Sequence, residues 1–168
     1  MMAALLDALL DEQLGPDVVA VKSSGFGPVG LPPIPDAVDA MRRRGLDVSQ
    51  HRSSSTTATL VDGADLILTA ERNHVVEIAG LSSAAFRRTF TLPEFLSSAA
   101  DASEAGDGIG GWVEQLSESR RAADYLRDQV PEVADPTGWS KRAFEAAVQA
   151  IEQQCREVTA HLAHVARG

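Results

Sequence analysis

The chain has 168 residues, 44% of them hydrophobic and 23% charged, and a net charge of −9. That length allows one substantial core, and the acidic balance argues against a duplex nucleic-acid binder, whose lysines and arginines must displace counterions from phosphate. A single cysteine, Cys155, excludes an intramolecular disulfide and fits a reducing compartment. No apolar run reaches the roughly 18–20 residues that span a bilayer, so a cytoplasmic protein without membrane contact is expected.

Met2, Leu5, Leu6, Leu9 and Leu10 recur at helical spacing opposite Asp7, Asp11 and Glu12. This predicts an amphipathic helix ending near Gly15-Pro16, and its acidic residues set it apart from a signal peptide. Val18-Val19-Ala20-Val21 reads as a buried strand. Ser23 to Pro35 is a loop rich in Gly and Pro, and Pro35–Arg44 is a helix closed by Gly45. Leu46–Thr59 is polar and mixed, with a short helix near Thr56–Leu60. Ala64–Thr69 is the next strand, Glu71–Ala79 a helix and Arg88–Leu92 the third strand. Leu96–Gly111 is small, acidic and Gly-rich and reads as a mobile insertion. Trp112–Asp128 is expected to be one helix with a basic patch at Arg120 and Arg121. Pro131–Trp139 is a loop. Lys141–Ala166 is a long helix with Phe144, Val148, Ile151, Cys155, Val158 and Leu162 on one stripe. The 5% aromatic share predicts a core mostly of Leu, Val, Ile and Ala. Short apolar strands alternating with helices indicate an α/β fold whose parallel sheet is covered on both faces.

Few constellations carry chemistry. Gly25-Phe26-Gly27-Pro28-Val29-Gly30 fits G-x-G-x-x-G, but Leu31-Pro32-Pro33-Ile34-Pro35 follows where a dinucleotide site needs a helix to open. It reads as a turn-rich surface loop. Cys155 lies on an apolar helix stripe, and position 161 is a histidine, so it does not begin a C-x-x-x-x-x-R phosphate loop. His161 and His164 sit at i, i+3 without a third ligand nearby, which favours a solvated helix end over a metal site. His51 and His74 are single histidines beside helix ends. Asp135-Pro136 holds a carboxyl on a loop beside a φ-locked proline. Such a carboxyl serves either as a turn or, if it faces a site, as a general acid.

Taken in order, these segments resemble the low-molecular-weight protein-tyrosine phosphatases. Val21-Lys22-Ser23-Ser24-Gly25 is similar to the family's strand end and "S-A-G" turn, and Gly30–Ala37 to "G-x-P-P-D-P-R-A". Arg44-Gly45-Leu46-Asp47-Val48-Ser49-Gln50-His51-Arg52 resembles "R-G-I-D-L-S-x-H-R". Ala64–His74 resembles "x-D-L-I-L-x-M-D-R-x-H". Thr89–Phe95 resembles the fourth strand and following turn. Val133-Ala134-Asp135-Pro136, with Phe144 and Ile151, resembles the "V-x-D-P" loop and last helix. The matches run from Met1 to about Leu162.

The resemblance implies a single domain over 1–168, a three-layer α/β sandwich with a short parallel sheet flanked by helices, and a divergent insertion at about 96–130. In the family a thiolate in a C-x-x-x-x-x-R-S loop attacks phosphorus, and the D-P aspartate protonates the leaving phenol. That loop lies between the family's first strand and first helix. This chain opens Met1-Met2-Ala3-Ala4-Leu5-Leu6, so strand, nucleophile and arginine are expected to be missing and the chain as given inactive. Asp135 carries over as the general acid and Ser23 as the residue that braces the loop. Thr137 and Gly138 stand where the family carries an aromatic, which weakens the expectation of phosphotyrosine selectivity. Trp139 is the candidate substitute. No metal or cofactor is implied.

The family's first strand is central, in the order 2-1-3-4. Its absence would leave unpaired backbone groups at roughly 1–3 kcal/mol each. Three resolutions stay open: the reading frame begins upstream, a partner or second copy donates a strand, or the sheet closes in another order. They lead to two functional expectations. One is an enzyme acting on phosphotyrosine protein or a small phosphoester in a longer form. The other is a non-catalytic relative that accepts a partner's strand. Arsenate reduction on this scaffold needs several relay cysteines and is disfavoured by Cys155 standing alone.

Overall fold

The computed structural model of the protein describes residues 1–100, 102 and 108–167. They cluster into two units: Met1–Thr56 with Ala134–Thr159, and Thr57–Val133 with the chain from Ala160 onward. No helix among the described residues is long and apolar enough to cross a membrane.

The first unit is helical. Helix α1, Met2–Leu14, buries Leu5, Leu6, Leu9 and Leu10 as the spacing predicts. It stops because Gly15 takes φ 93°, and Pro16 cannot continue the helix. Helix α2, Pro35–Arg42, opens on its proline and buries Ala37, Ala40 and Met41. Its end is a complete Schellman motif: Gly45 N–H donates to Arg42 O and Leu46 N–H to Met41 O, at 3.0 Å each, with Gly45 at φ 77°.

The apolar stripe of the last helix, Lys141–Val165, is buried from Phe144 through Val148, Ile151, Cys155 and Val158 to Leu162. A chain of charges joins α2 to it. Arg44 Nε donates to Glu152 Oε2 at 2.6 Å, Arg44 to Glu145 Oε1 at 2.8 Å, and Arg43 to Glu145 Oε2 at 2.6 Å. Arg156 closes on Glu152 Oε1 at 2.8 Å.

The expected strand at Val18–Val21 is corrected: the segment forms no ladder, and Val18 is 56% exposed. A β-branched run supplies the composition of a strand, but a strand exists only where a neighbour exchanges hydrogen bonds with it. Among the described residues none does so here. Gly15 and Asp17, both at positive φ, turn the chain just before the run.

The second unit holds the sheet. After the short helix α3, Ala58–Asp62, capped by Thr57 Oγ1, strand β1 (Ile67–Thr69) runs parallel to β2 (Thr89–Thr91). The register pairs Leu68 with Phe90. This adjacency matches the third and fourth strands of the expected order, although both strands are shorter than expected. Helix α4, Arg72–Leu81, is the parallel crossover between them. Val61, Ile78 and Ala85 form one buried cluster and Val75, Phe86 and Tyr125 another. The buried threonines of β2 are satisfied: Thr89 Oγ1 donates to Ala85 O at 2.7 Å and Thr91 Oγ1 to Pro131 O at 2.7 Å.

Two further expectations are corrected here. Leu96–Gly111 begins and ends in helix, α5 covering Leu92–Ala100 and α6 starting at Gly108. Residues 101 and 103–107 of that stretch lie outside the described residues. The helix expected over Trp112–Asp128 is two, α6 (Gly108–Leu116) and α7 (Ala122–Tyr125). Tight i→i−3 bonds at Ser117, Glu118 and Arg120 end α6, and Ser117 Oγ competes by bonding Glu114 O at 2.8 Å. The core is mostly Leu, Val, Ile and Ala, as expected, but the sheet-bearing unit adds an aromatic group to it. Five of the eight aromatic residues in the chain are buried in this unit. Phe90, Phe95 and Trp112 meet edge to face at 5.8 and 5.6 Å, and Phe86 meets Tyr125 at 5.4 Å.

The break in the helix turns Arg120 inward, which removes it from any basic surface patch. Its guanidinium lies 4.1 Å from the Phe90 ring centre and 4.5 Å from that of Phe86. It donates to Glu94 Oε1 at 3.0 Å, to Phe86 O at 2.7 Å and to Thr89 O at 2.9 Å. Glu94 is in turn held by a capping box: Thr91 N–H donates to Glu94 Oε2 at 3.1 Å, and Glu94 N–H to Thr91 Oγ1 at 3.3 Å.

Two predictions follow from these nodes. Arg120→Met leaves Glu94 and two carbonyls short of partners, at a cost of about 3–5 kcal/mol, and Arg120→Lys restores little because one ammonium cannot replace the planar fork. Chemical denaturation checks both, and near wild-type stability of Arg120→Met would contradict the assignment. In the first unit, hydrogen bonds from Arg44 and then Arg43 hold the Glu145 carboxyl below its ordinary pKa of 4.5. Those from Arg156 and then Arg44 do the same for Glu152. Burial disfavours the Arg44 charge, but its bonds to the two carboxylates outweigh that and raise its pKa. A lowered carboxyl pKa contributes stability above the ordinary value of 4.5 that is lost as pH falls through the folded-state value. Glu145→Gln with Glu152→Gln therefore lowers thermal stability at pH 7 by about 1 kcal/mol, discounted for partial exposure. It also flattens the decline between about pH 5 and pH 3.

Candidate active site on the Asp135–Trp139 loop

Asp135 begins the turn that leads into the last helix. Pro136 is buried and anchors the turn, while Asp135, Thr137 and Trp139 stay exposed. The turn closes because Trp139 N–H donates to Pro136 O at 3.0 Å and Gly138 takes φ 80°, a conformation a side chain resists. Ser140 then caps the helix, accepting from Ala143 N–H at 3.3 Å. Within this frame Asp135 Oδ1 accepts two bonds from one residue, Thr137 N–H at 3.0 Å and Thr137 Oγ1 at 2.8 Å. Asp135 Oδ2 has no hydrogen-bond partner among the described residues. The result is a solvent-facing carboxyl in a fixed attitude.

Ser23 lies at the start of a second exposed loop. The stretch Ser23–Leu31 is fastened to Ser53–Thr56 by alternating main-chain and hydroxyl bonds. Gly25 N–H donates to Ser54 O at 2.9 Å, Thr56 N–H to Gly25 O at 2.9 Å, and Gly30 N–H to Ser53 O at 2.8 Å. Ser53 Oγ donates to Pro28 O at 2.7 Å, Ser54 Oγ to Ser23 O at 3.0 Å, and Ser24 and Thr56 hydroxyls meet at 2.9 Å. The amides of Gly25 and Gly30 are therefore spent inside the protein, in keeping with a surface loop rather than a phosphate cradle. Ser23 contributes its carbonyl to this fastening and leaves its hydroxyl exposed. No hydrogen bond joins Ser23 to Asp135 among the described residues.

The remaining candidates have other employment. Cys155 is fully buried, with Sγ 3.9 Å from Met2 O. Burial pushes its thiol pKa up to about 12, so it is not a thiolate near neutrality. His161 stacks on the Trp112 ring at 6.0 Å and 28°. Among the described residues no group of three or more His, Cys, Asp or Glu is placed to hold a metal ion. Sequence reasoning passed over Thr137 as a partner of Asp135, although D-x-T is a local signal for a side chain that bonds two residues on.

A curated relative from Ralstonia nicotianae, named probable low molecular weight protein-tyrosine-phosphatase EpsP, is 39% identical over 77 residues, 45% of this chain and 53% of that protein. The chain thus spans about half the length, or less, of the curated relatives it matches. Among solved structures, a YwlE mutant from Bacillus subtilis superposes with TM-score 0.71 at 22% identity, over 96% of this chain and 87% of that one. The tyrosine phosphatase Wzb from Escherichia coli K30, in complex with sulphate, does so with TM-score 0.65 at 21% identity, over 95% and 89%. These fix an α/β fold with a short parallel sheet flanked by helices. The family model for low molecular weight phosphotyrosine protein phosphatase matches residues 1–111, and the chain belongs to that family.

Proposed function

We propose that this chain is the acid-bearing scaffold of a phosphate monoesterase, with Asp135 as general acid and Ser23 bracing the phosphate-binding loop. The observation that carries the reading is the exposed Asp135 carboxyl, oriented on a rigid Asp-Pro turn in a chain of the phosphatase family. A carboxyl in this attitude can protonate the oxygen that leaves phosphorus. The substrate class is a phosphotyrosine protein or a small aryl phosphoester, with Trp139, 46% exposed, available to the aryl ring.

Attack on phosphorus requires a thiolate set among amides and an arginine. The 168 residues contain one cysteine, and Cys155 is buried, protonated and followed six residues later by His161. The 168 residues alone are therefore expected not to hydrolyse para-nitrophenyl phosphate. Joined at Met1 to a strand and a C-x-x-x-x-x-R-S segment of the family, the protein gains turnover. Asp135→Asn then lowers turnover of phenyl phosphate, whose leaving group needs a proton, by about 10²–10⁴-fold and that of the nitro ester by much less. Hydrolysis by the unextended chain that Asp135→Asn abolishes would mean a nucleophile lies elsewhere.

A second reading, a non-catalytic binder that accepts a strand from a partner or a second copy, is favoured by one feature. Val18–Lys22 has strand composition and no ladder partner among the described residues. A monodisperse, stable monomer whose Val18–Lys22 amides exchange freely in every mixture tested would argue against it.

A further inference from the structure

We infer that Thr137 is a positioning residue for Asp135, setting which carboxyl oxygen carries the transferable proton. The inference rests on the proposed role of Asp135 and goes beyond it. Both Thr137 donors, the amide at 3.0 Å and the hydroxyl at 2.8 Å, converge on Oδ1. A carboxyl oxygen that accepts two donors is disfavoured as the site of the proton, because an O–H there would have to displace one of them. Oδ2 has no hydrogen-bond partner among the described residues and the residue is exposed, so in the acid form the proton sits on Oδ2. As the leaving oxygen parts from phosphorus, that proton passes from Oδ2 to it, while the thiolate of the C-x-x-x-x-x-R segment forms the new bond to phosphorus. The carboxylate left behind has its Oδ1 charge already met by two bonds.

Among the described residues, Thr137 alone supplies hydrogen bonds to the Asp135 carboxyl. Pro136 is buried and fixes the backbone, and Gly138 with the Trp139 N–H to Pro136 O bond closes the turn. These features hold the main chain but touch neither carboxyl oxygen. Without the Thr137 hydroxyl one donor remains, and the carboxyl can swing about χ1 and χ2. A hydroxyl two residues beyond the acid thus occupies a position where the resembling family carries an aromatic ring. The chemistry it serves is orientation of the acid rather than contact with the substrate.

The test uses Thr137→Val and Thr137→Ser in the Met1-extended protein, with Asp135→Ala as reference. The readout is kcat/KM on phenyl phosphate, whose leaving group needs a proton, against para-nitrophenyl phosphate, whose leaving phenolate is stabilised by its nitro group. Thr137→Val is expected to lose about tenfold on phenyl phosphate and less than about twofold on the nitro ester, a modest share of a general acid's effect. Thr137→Ser, which keeps the hydroxyl, restores the wild-type ratio. Equal losses on both esters, or none, overturn the inference while leaving Asp135 as the acid if Asp135→Ala still discriminates between them. Failure of Asp135→Ala to discriminate, or no turnover in the extended protein, overturns the acid's assignment and this inference with it. A readout without turnover is available in the 168-residue chain. The Hα–Hβ couplings of Asp135 should report one χ1 rotamer in wild type and Thr137→Ser and averaging in Thr137→Val. Averaging already in wild type overturns the proposal.

Discussion

Arg120 meets three demands at once in the sheet-bearing unit. A guanidinium taken out of water must have its N–H groups met and its charge balanced. Here a carboxylate balances it, two main-chain carbonyls accept from it, and the faces of Phe86 and Phe90 border it. Those carbonyls belong to the segment that ends in β2, and Glu94 belongs to the helix that leaves it. The cation therefore ties together the entry and exit of the strand. A sheet of two three-residue strands has little ladder of its own. What holds it is the packed crossover helix, the aromatic chain and this ion, and each loses its geometry if the ion goes.

The other unit solves a different problem with a different chemistry. Its loops carry the candidate site. They are stiffened by short polar bonds: hydroxyls of Ser53, Ser54 and Thr56 against Ser23–Leu31, and the turn from Asp135 to Ser140. The Arg44 network fastens the end of α2 to the last helix. Each bond is small, about 0.5–1.5 kcal/mol net, but together they leave the chain few alternative paths. A general acid needs that restraint, since a wandering carboxyl spends little time in reach of the leaving oxygen.

Local rules made part of this legible in the sequence. Gly15-Pro16 and Gly45 ended their helices as read, and the stripe from Phe144 to Leu162 is buried as its spacing predicts. Failures came where the deciding contact was distant. Arg120 sits 26 residues from Glu94 in sequence, so no window shows the pair, and an arginine beside another reads as a surface patch. The nearby cue was Thr91-Leu92-Pro93-Glu94, a capping box that marks a helix where an extended strand end was read. Val18–Val21 failed for the converse reason: composition declares that a segment can pair, not that it does. The proposed role of Asp135 came from family likeness, since an Asp-Pro dipeptide alone is ordinary. What the structure adds is Thr137, the neighbour that makes the carboxyl's attitude specific.

The two tryptophans have a practical consequence. Trp112 is fully buried, edge-on to Phe95 and stacked by His161, whereas Trp139 stands 46% exposed on the turn that carries Asp135. Each unit thus holds one indole, in opposite surroundings. A buried indole stacked on an imidazole emits at short wavelength with reduced yield, and a solvated one emits to the red. The protein carries its own two-colour optical label. Loss of order around Phe95 moves the blue component, and a change in the turn that carries Trp139 moves the red one, so events in the two units separate spectrally without any added dye.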